Sequence, residues 1–145
     1  MLLVVFGESC TGKSTLSNML GEALPAKVYT GKDYKRLAKN EADAKKAFSA
    51  LMEAACKEEH LIWVVSQQED LPLIPQGAFR ILVTAPLETI KERFAKRMGG
   101  TLPLPVAAML ERKHGCFDNE PRDFHLKDGE GMEELLSTLK LRSSQ

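Results

Sequence analysis

Short apolar runs alternate with stretches of helical periodicity along most of the chain. Leu2–Phe6 and Leu61–Val65 are apolar at every position, as expected for strands that are buried on both faces of a sheet. Between them, residues 41–58 place apolar side chains at the three- and four-residue intervals that define one helix face. This alternation is typical of βαβ units, and it predicts an α/β domain built on a parallel sheet.

The remaining segments extend the same pattern. Lys27–Thr30 and Arg80–Thr84 are predicted strands, and Phe124–Leu126 is a predicted edge strand. Further helices are predicted at Ser14–Leu24, from Pro86 to the glycine pair Gly99-Gly100, from the Thr101–Pro105 segment to about Lys113, and at Met132–Leu139.

The segment between the first strand and the first helix carries recognisable chemistry. Gly7–Thr15 fits the phosphate-binding pattern G-x-x-x-x-G-K-[ST]. Its amides can surround a phosphate, the Lys13 ammonium can reach the β- and γ-oxygens, and the Ser14 hydroxyl can bind magnesium. We therefore predict a nucleoside triphosphate site. Its predicted binding residues are Gly7, Ser9, Cys10, Thr11, Gly12, Lys13, Ser14 and Thr15.

Composition restricts the possible partners. The 145 residues are 43% hydrophobic and 28% charged, which suits one domain spanning residues 1–145. Twenty acidic and twenty basic side chains cancel, so we expect neither nucleic acid nor a membrane as a partner. Three cysteines show no metal-ligand spacing, and their odd number argues against a disulfide framework. No segment has the pattern of a signal peptide. We expect a cytoplasmic protein, either a monomer or a small homo-oligomer.

Three segments give the chain a family resemblance. Gly7–Thr15 matches the phosphate loop, Thr30–Arg36 is similar to the Thr-Gly-Asp-x-x-Arg acceptor segment of adenylate kinases with one extra residue, and Arg93–Arg97 looks like the helix that enters a lid. The chain thus resembles the nucleoside monophosphate kinase-like P-loop kinases, which include adenylate, cytidylate, shikimate and gluconate kinases. The resemblance implies a P-loop NTPase fold whose five parallel strands lie in the order 2-3-1-4-5 between helices. It also implies an acceptor-binding segment near residues 30–60 and a short lid near residues 97–118.

The resemblance is incomplete on the acceptor side. Ser66–Asp70 stands where adenylate kinases have Asp-Gly-Phe-Pro-Arg, and the lid lacks their Arg-x-Asp-Asp signature. The implied function is a kinase that moves the γ-phosphoryl group of Mg-ATP to a small acceptor, with a nucleoside monophosphate or a similar nucleotide as the first expectation. Two alternatives remain open. One is a small-metabolite kinase of the shikimate or gluconate type, and the other is a nucleotide-binding regulatory module without transfer activity.

Basic side chains are the candidate catalytic residues. Phosphoryl transfer needs positive charge around the transferred group, and Lys13 would supply the first part of it. Arg93 and Arg97 are one helical turn apart, so both can face the same cleft. Arg112, next to Lys113, follows the flexible Gly99-Gly100 pair and could arrive with a closing lid. For each arginine the alternative is a solvated helix surface.

The acceptor site and the magnesium site are predicted to share a segment. Thr30, Tyr34 and Arg36 offer a hydroxyl, a stacking ring and a phosphate-binding guanidinium, and Asp33 lies among them. The Tyr34 ring could instead fill the edge of the core. Ser14 would bind the magnesium ion directly. Asp33 is the first candidate to order the water molecules on the ion. The carboxylate could equally cap the following helix. The next candidates after Asp33 are Glu69 and Asp70.

Overall fold

The computed structural model describes residues 1–128 and 130–143; residue 129 and residues 144–145, which the single-domain prediction also covers, lie outside the described part. The strands are β1 (Leu2–Phe6), β2 (Lys27–Thr30), β3 (Leu61–Val65), β4 (Phe79–Thr84) and β5 (Phe124–Lys127). The helices are α1 (Lys13–Ala23), α2 (Glu41–Lys57), α3 (Leu87–Arg97), α4 (Leu104–Lys113) and α5 (Met132–Ser143). Two short 3₁₀ helices cover Asp33–Leu37 and Gln68–Leu73.

The five strands form one parallel sheet in the order β2-β3-β1-β4-β5. This confirms the predicted α/β class, the all-parallel sheet and the strand order. β1 occupies the centre, where Val4 pairs with Trp63 of β3 on one side and Arg80 of β4 on the other. The connection from β1 therefore runs toward one edge of the sheet, while the connection from β4 runs toward the other.

Successive residues of β1 enter two separate cores. Val4 and Phe6 pack in the cluster that contains Phe48 of α2. Leu3 and Val5 pack on the opposite face, with α1 and α5. Because side chains alternate along a strand, a strand covered on both faces must be apolar throughout. That requirement explains the uninterrupted apolar run at the start of the chain.

Strand and helix ends differ from the predictions by a few residues. β4 begins at Phe79 and β5 continues to Lys127, since the backbone N–H of Asp128 still donates to the Thr84 carbonyl at 2.7 Å. α5 continues to Ser143. The two 3₁₀ helices were not predicted, because such short segments carry no measurable periodicity.

No helix in residues 1–128 or 130–143 is long and apolar enough to cross a bilayer.

Candidate active site

The phosphate loop, Gly7–Thr15, leaves the carboxyl end of β1 between β3 and β4. The Gly7 N–H donates to the Val65 carbonyl at 3.2 Å, on the β3 side. On the β4 side, a Cβ at Gly7 would lie 2.2 Å from the Val83 carbonyl oxygen, so the position requires glycine. Parallel sheets bind ligands beyond the carboxyl ends of strands where neighbouring connections diverge. The loop lies at that crevice.

The loop directs the N-terminus of α1 toward this crevice. Gly12 precedes the helix with φ +101°, and Cys10 also has a positive φ of 62°. The first turn of α1 contains no acidic residue that would occupy its free N–H groups. Ser14 and Thr15 are exposed there. An N-terminus with free donors attracts anions, so this arrangement suits a phosphate group.

Lys13 is folded back onto its own loop. Only 5% of the residue is exposed, and its Nζ donates to the main-chain carbonyl of Glu8. Thr11 Oγ1 donates to the same carbonyl at 2.9 Å. Burial lowers the pKa of Lys13 to about 8, and the nearby Arg97 charge also lowers it. The lysine must leave the Glu8 carbonyl to contact a bound phosphate.

A small cavity of about 130 Å³ lies directly on the loop. Hydroxyl groups dominate its polar lining. Its residues are Ser9, Cys10, Gly12, Lys13, Ser14, Thr15, Thr30, Val64, Ser66 and Arg97. The fold therefore brings most of the predicted nucleotide-binding residues together with one predicted acceptor residue, Thr30, and one predicted catalytic arginine, Arg97.

The three predicted arginines lie in different surroundings. Arg97, exposed at the end of α3, lines the small cavity. Arg93 is already engaged: it donates to the Cys10 carbonyl at 3.1 Å and to Asp128 Oδ1 at 2.7 Å. Arg112 is exposed near the end of α4 and does not line this cavity. Arg97 is thus the predicted arginine that lines the small cavity, whereas Arg93 contacts the loop through the Cys10 carbonyl.

A second cleft, of about 460 Å³, adjoins the loop on the side of β5 and α5. Apolar Leu126 and Met132 contribute to its wall, as do the polar and charged side chains of Arg93, Lys96, Arg97 and Asp128. Cys10, Thr11, Gly12, Thr15 and Leu16 complete it from the loop and α1. A partly apolar cleft next to a phosphate-binding loop has room for the base and sugar of a nucleotide.

The predicted acceptor segment after β2, Thr30–Arg36, is held by contacts within itself and by packing against α2. The Thr30 N–H donates to Asp33 Oδ2 at 3.0 Å, and Arg36 lies 3.4 Å from the same oxygen with 81% of its side chain exposed. Tyr34 is fully buried, and its ring stacks on Phe48 at a centroid distance of 5.2 Å. The ring that the sequence offered for stacking on an acceptor therefore fills the core in this conformation.

The acidic candidates for magnesium lie outside the small cavity. Asp33 is engaged with Thr30 and Arg36, but it does not cap the following 3₁₀ helix, because it lies inside that helix and the N-cap residue there is Lys32, without a side-chain cap hydrogen bond. Glu69 pairs with Lys32 at 2.9 Å, and the pairing lowers the pKa of Glu69 while raising that of Lys32. Asp70 is 2% exposed, lies 3.6 Å from Lys32, and has one carboxylate oxygen, Oδ2, for which the described residues offer no hydrogen-bond partner. Over the described ranges, no group of three or more histidine, cysteine or acidic residues could hold a metal by itself.

Four residues of the site were not predicted from the sequence. Ser66 and Asp128 directly follow β3 and β5, and position after a parallel strand could have pointed to them. Lys32 lay inside the predicted acceptor segment but was not assigned a role. The carboxylate of Glu8 accepts hydrogen bonds from the end of α4, a contact between residues 106 positions apart that no sequence pattern indicates.

Solved structures with a similar fold include several small kinases. A shikimate kinase from Aquifex aeolicus matches with a TM-score of 0.57 at 18% identity, covering 99% of this chain and 96% of that one. A gluconokinase from Sinorhizobium meliloti 1021 gives 0.58 at 17%, covering 97% and 96%. The YorR protein of Bacillus subtilis, solved in complex with phosphorylated GDP, gives 0.66 at 14%, covering 100% and 99%. The sequence matches no protein-family model and no curated protein at a significant level.

These likenesses define the class of fold. The chain has the fold of the nucleoside monophosphate kinase-like P-loop kinases, over nearly its whole length. The resemblance predicted from Gly7–Thr15, Thr30–Arg36 and Arg93–Arg97 is confirmed at this level. At such low identities the comparison shows the fold alone. The substrates that the names of those kinases indicate are substrates of those other proteins.

Proposed function

We propose that the protein is an ATP-dependent phosphotransferase that moves the γ-phosphoryl group of Mg-ATP to a small acceptor. The observation that carries this proposal is the phosphate loop at the carboxyl end of the central strand, with Lys13, the α1 N-terminus and Arg97 around one cavity. In the reaction an acceptor oxygen bonds to the γ-phosphorus while the bond to the β–γ bridging oxygen breaks. ADP leaves with that bonding pair, and a hydroxyl acceptor releases its proton to solvent.

The protein's own charges suit this chemistry. Phosphoryl transfer depends on positioning and on positive charge around the equatorial oxygens of the transferred group. Lys13 and the amides of the loop would hold the β- and γ-phosphates, and Arg97 would add a second charge from α3. The adjoining cleft beside Leu126 and Met132 would take the nucleoside. Arg93, held by Cys10 and Asp128, would form part of that cleft wall.

The residues on the loop also fit a magnesium ion. Mg²⁺ in nucleotide sites is held by few protein groups and keeps several waters. Ser14 is exposed at the cavity, and the neighbouring hydroxyls of Thr15, Thr30 and Ser66 could bind those waters. When bound, the ion neutralises charge on the triphosphate oxygens. Asp33 bonds to Thr30 and Arg36 through Oδ2 and does not line the small cavity, so we retain it as a proposed second contact.

For the acceptor we favour a small hydroxylated metabolite. The small cavity presents the hydroxyls of Thr30 and Ser66, which can bond to acceptor hydroxyls. The ring expected to stack on a nucleotide base, Tyr34, is fully buried. A nucleoside monophosphate remains the second candidate, because the guanidinium of Arg36 is exposed and could bind its phosphate.

Measurement of ADP release across a panel of metabolites and nucleoside monophosphates tests the proposal. We expect at least one acceptor to raise ADP release above background hydrolysis with Mg-ATP. The Lys13→Ala variant should fold normally and lose this activity, since its charge is needed mainly in the transition state. Near-normal turnover in Lys13→Ala would contradict the assignment of the loop. Nucleotide binding without turnover on any acceptor would instead favour the regulatory module.

Two substitutions distinguish the acceptor classes. Thr30→Val removes the hydroxyl and keeps the shape, so it should raise the KM of a hydroxylated acceptor. Arg36→Ala should raise the KM of a nucleoside monophosphate about tenfold or more, as expected for the loss of a charge-assisted phosphate contact. A raised KM in Thr30→Val indicates a hydroxylated acceptor, and a raised KM in Arg36→Ala indicates a nucleoside monophosphate. If neither variant changes the acceptor KM, the acceptor site lies elsewhere.

A further inference from the structure

The carboxylate of Glu8 joins the phosphate loop to the end of α4. Glu8 Oε1 lies 3.1 Å from His114 Nδ1, and Glu8 Oε2 accepts from the Gly115 N–H at 3.1 Å. Only 10% of the Glu8 side chain is exposed. Both oxygens are therefore engaged; the contact with His114 is open to solvent, because 36% of that side chain is exposed, and the contact with Gly115 is partly buried.

The main-chain carbonyl of the same residue contacts Lys13. Lys13 Nζ and Thr11 Oγ1 both donate to the Glu8 main-chain carbonyl. A bound triphosphate would draw the Lys13 ammonium to its own oxygens and remove that donor from the carbonyl. Nucleotide binding would thus alter contacts at one end of Glu8, while the carboxylate at the other end holds His114 and Gly115.

The segment that Glu8 holds carries basic side chains. Arg112 and Lys113 form the last turn of α4, immediately before His114. Apolar packing also links the loop to α4, because Cys10 of the loop belongs to the same apolar cluster as Leu110 of α4. The end of α4 is therefore connected to the loop through this apolar cluster and through the two contacts of the Glu8 carboxylate.

We propose that Glu8 is a positioning residue that couples nucleotide binding at the phosphate loop to the placement of the basic end of α4. The proposal rests on the function proposed above, since it assigns a role to Glu8 within that reaction. Glu8 does not touch the transferred group. It fixes the positions of Arg112 and Lys113 once the Lys13 ammonium contacts the phosphates.

The test compares Glu8→Ala and Glu8→Gln with the wild type. In the wild type, Mg²⁺ with the non-hydrolysable analogue AMP-PNP should change amide hydrogen exchange at residues 110–115. In Glu8→Ala that change should be lost, and Gly115 should exchange faster even without nucleotide. We expect kcat to fall about tenfold or more, with the ATP dissociation constant within about threefold of wild type. Glu8→Gln keeps one acceptor oxygen and the side-chain size, so its effects should be smaller.

Glu111→Gln is the matched control. It breaks the ion pair between Glu111 of α4 and Lys91 of α3, at 2.6 Å, without touching the loop. This variant should keep the nucleotide-dependent change in exchange and a kcat near that of wild type. If Glu111→Gln loses the nucleotide-dependent change in exchange and lowers kcat as much as Glu8→Ala does, any weakening of α4 has these effects. That result would overturn the specific role of Glu8.

Other outcomes overturn the proposal separately from the proposed function. If exchange at residues 110–115 responds to AMP-PNP equally in Glu8→Ala and wild type, the coupling is absent. If kcat and ATP affinity fall by the same factor, Glu8 only maintains the shape of the loop. A wild-type protein that transfers no phosphoryl group would refute the proposed function, whereas the exchange comparison would still decide whether Glu8 transmits nucleotide binding to α4.

Discussion

Lys13 is a buried cation whose only described hydrogen bond is to a neutral carbonyl on its own loop. Burial favours the neutral form of an amine, which is why the pKa of Lys13 falls to about 8. The nearby Arg97 charge acts in the same direction. A triphosphate would reverse both effects by placing negative charge against the ammonium. Binding of the nucleotide and protonation of Lys13 should therefore be linked.

We expect the affinity for ATP to fall as the pH rises above about 8. Lys13 in the free protein loses its proton there, and binding must then take up a proton from solvent. One pH unit above the pKa, this costs about tenfold in affinity. Titration of ATP binding at pH 7 and pH 9 measures the effect. Lys13→Ala should show no such decline, and Arg97→Ala should move its onset to higher pH.

Gly7 should tolerate no side chain. Gly7→Ala would push a Cβ into the Val83 carbonyl, 2.2 Å away, and both groups belong to the backbone. We expect the free energy of unfolding to fall by about 3–5 kcal/mol, with ATP binding lost as well. Chemical denaturation measures the change. Gly21→Ala in α1 is the control, because its Cβ would lie 3.3 Å from the Val28 side chain and 3.9 Å from the Ala26 carbonyl oxygen, a much smaller conflict, and alanine favours helices. Equal stability of the two variants would contradict the packing argument.

At the level of elements, α3 and α4 form a helical hairpin beside the phosphate loop. Ile90 of α3 and Leu110 of α4 are buried in one apolar cluster. Gly99 and Gly100 connect the helices with φ of +90° and +106°, values that favour glycine. The predicted lid is thus docked on α3 in this conformation. Its movement would have to bend the glycine connection or open the apolar cluster.

Arg112→Ala tests whether the end of α4 acts during transfer. If Arg112 approaches the transferred phosphate only in the closed state, kcat should fall about tenfold or more while ATP affinity stays nearly unchanged. Steady-state kinetics and a binding titration measure both constants. Lys46→Ala, which removes a charge from the exposed face of α2, should change neither. An Arg112→Ala variant with wild-type kcat would identify a solvated surface arginine.

Across the whole molecule, the central position of β1 decides where the site forms. Its carboxyl end lies between the connections that leave toward the two sheet edges, so α1, α3, α4 and the loop after β5 all reach the phosphate loop. A ligand bound there contacts elements from most of the chain. Nucleotide binding should consequently stabilise the entire fold and not only the loop.

Mg-ATP should raise the melting temperature by mass action. At a free concentration one hundred times its dissociation constant, a ligand adds about 2.7 kcal/mol, which corresponds to roughly 5–10 °C for a domain of this size. Differential scanning calorimetry with and without nucleotide measures the shift. Lys13→Ala should show a clearly smaller shift at the same concentration. An unchanged melting temperature at millimolar ATP would argue against nucleotide binding.

The sequence determined the elements whose signals are local. β1 and β3 match their predicted bounds because strands buried on both faces must be apolar at each position, and that requirement is written directly in residue order. The phosphate-loop pattern is local for a related reason, since its glycines, lysine and hydroxyls stand at fixed spacing within nine residues, and its role in binding phosphate stays a prediction. The strand order was predicted through the family resemblance and not through periodicity.

Only the tertiary structure decided how distant residues meet. Tyr34 is enclosed because Phe48 packs on it, Arg93 is occupied because β5 brings Asp128 beside it, and Glu8 bonds to His114 across 106 positions. The pKa of Lys13 likewise depends on burial and on the charge of Arg97. Contacts and electrostatic effects of this kind arise from the packing of whole elements, and no local pattern of residues encodes them.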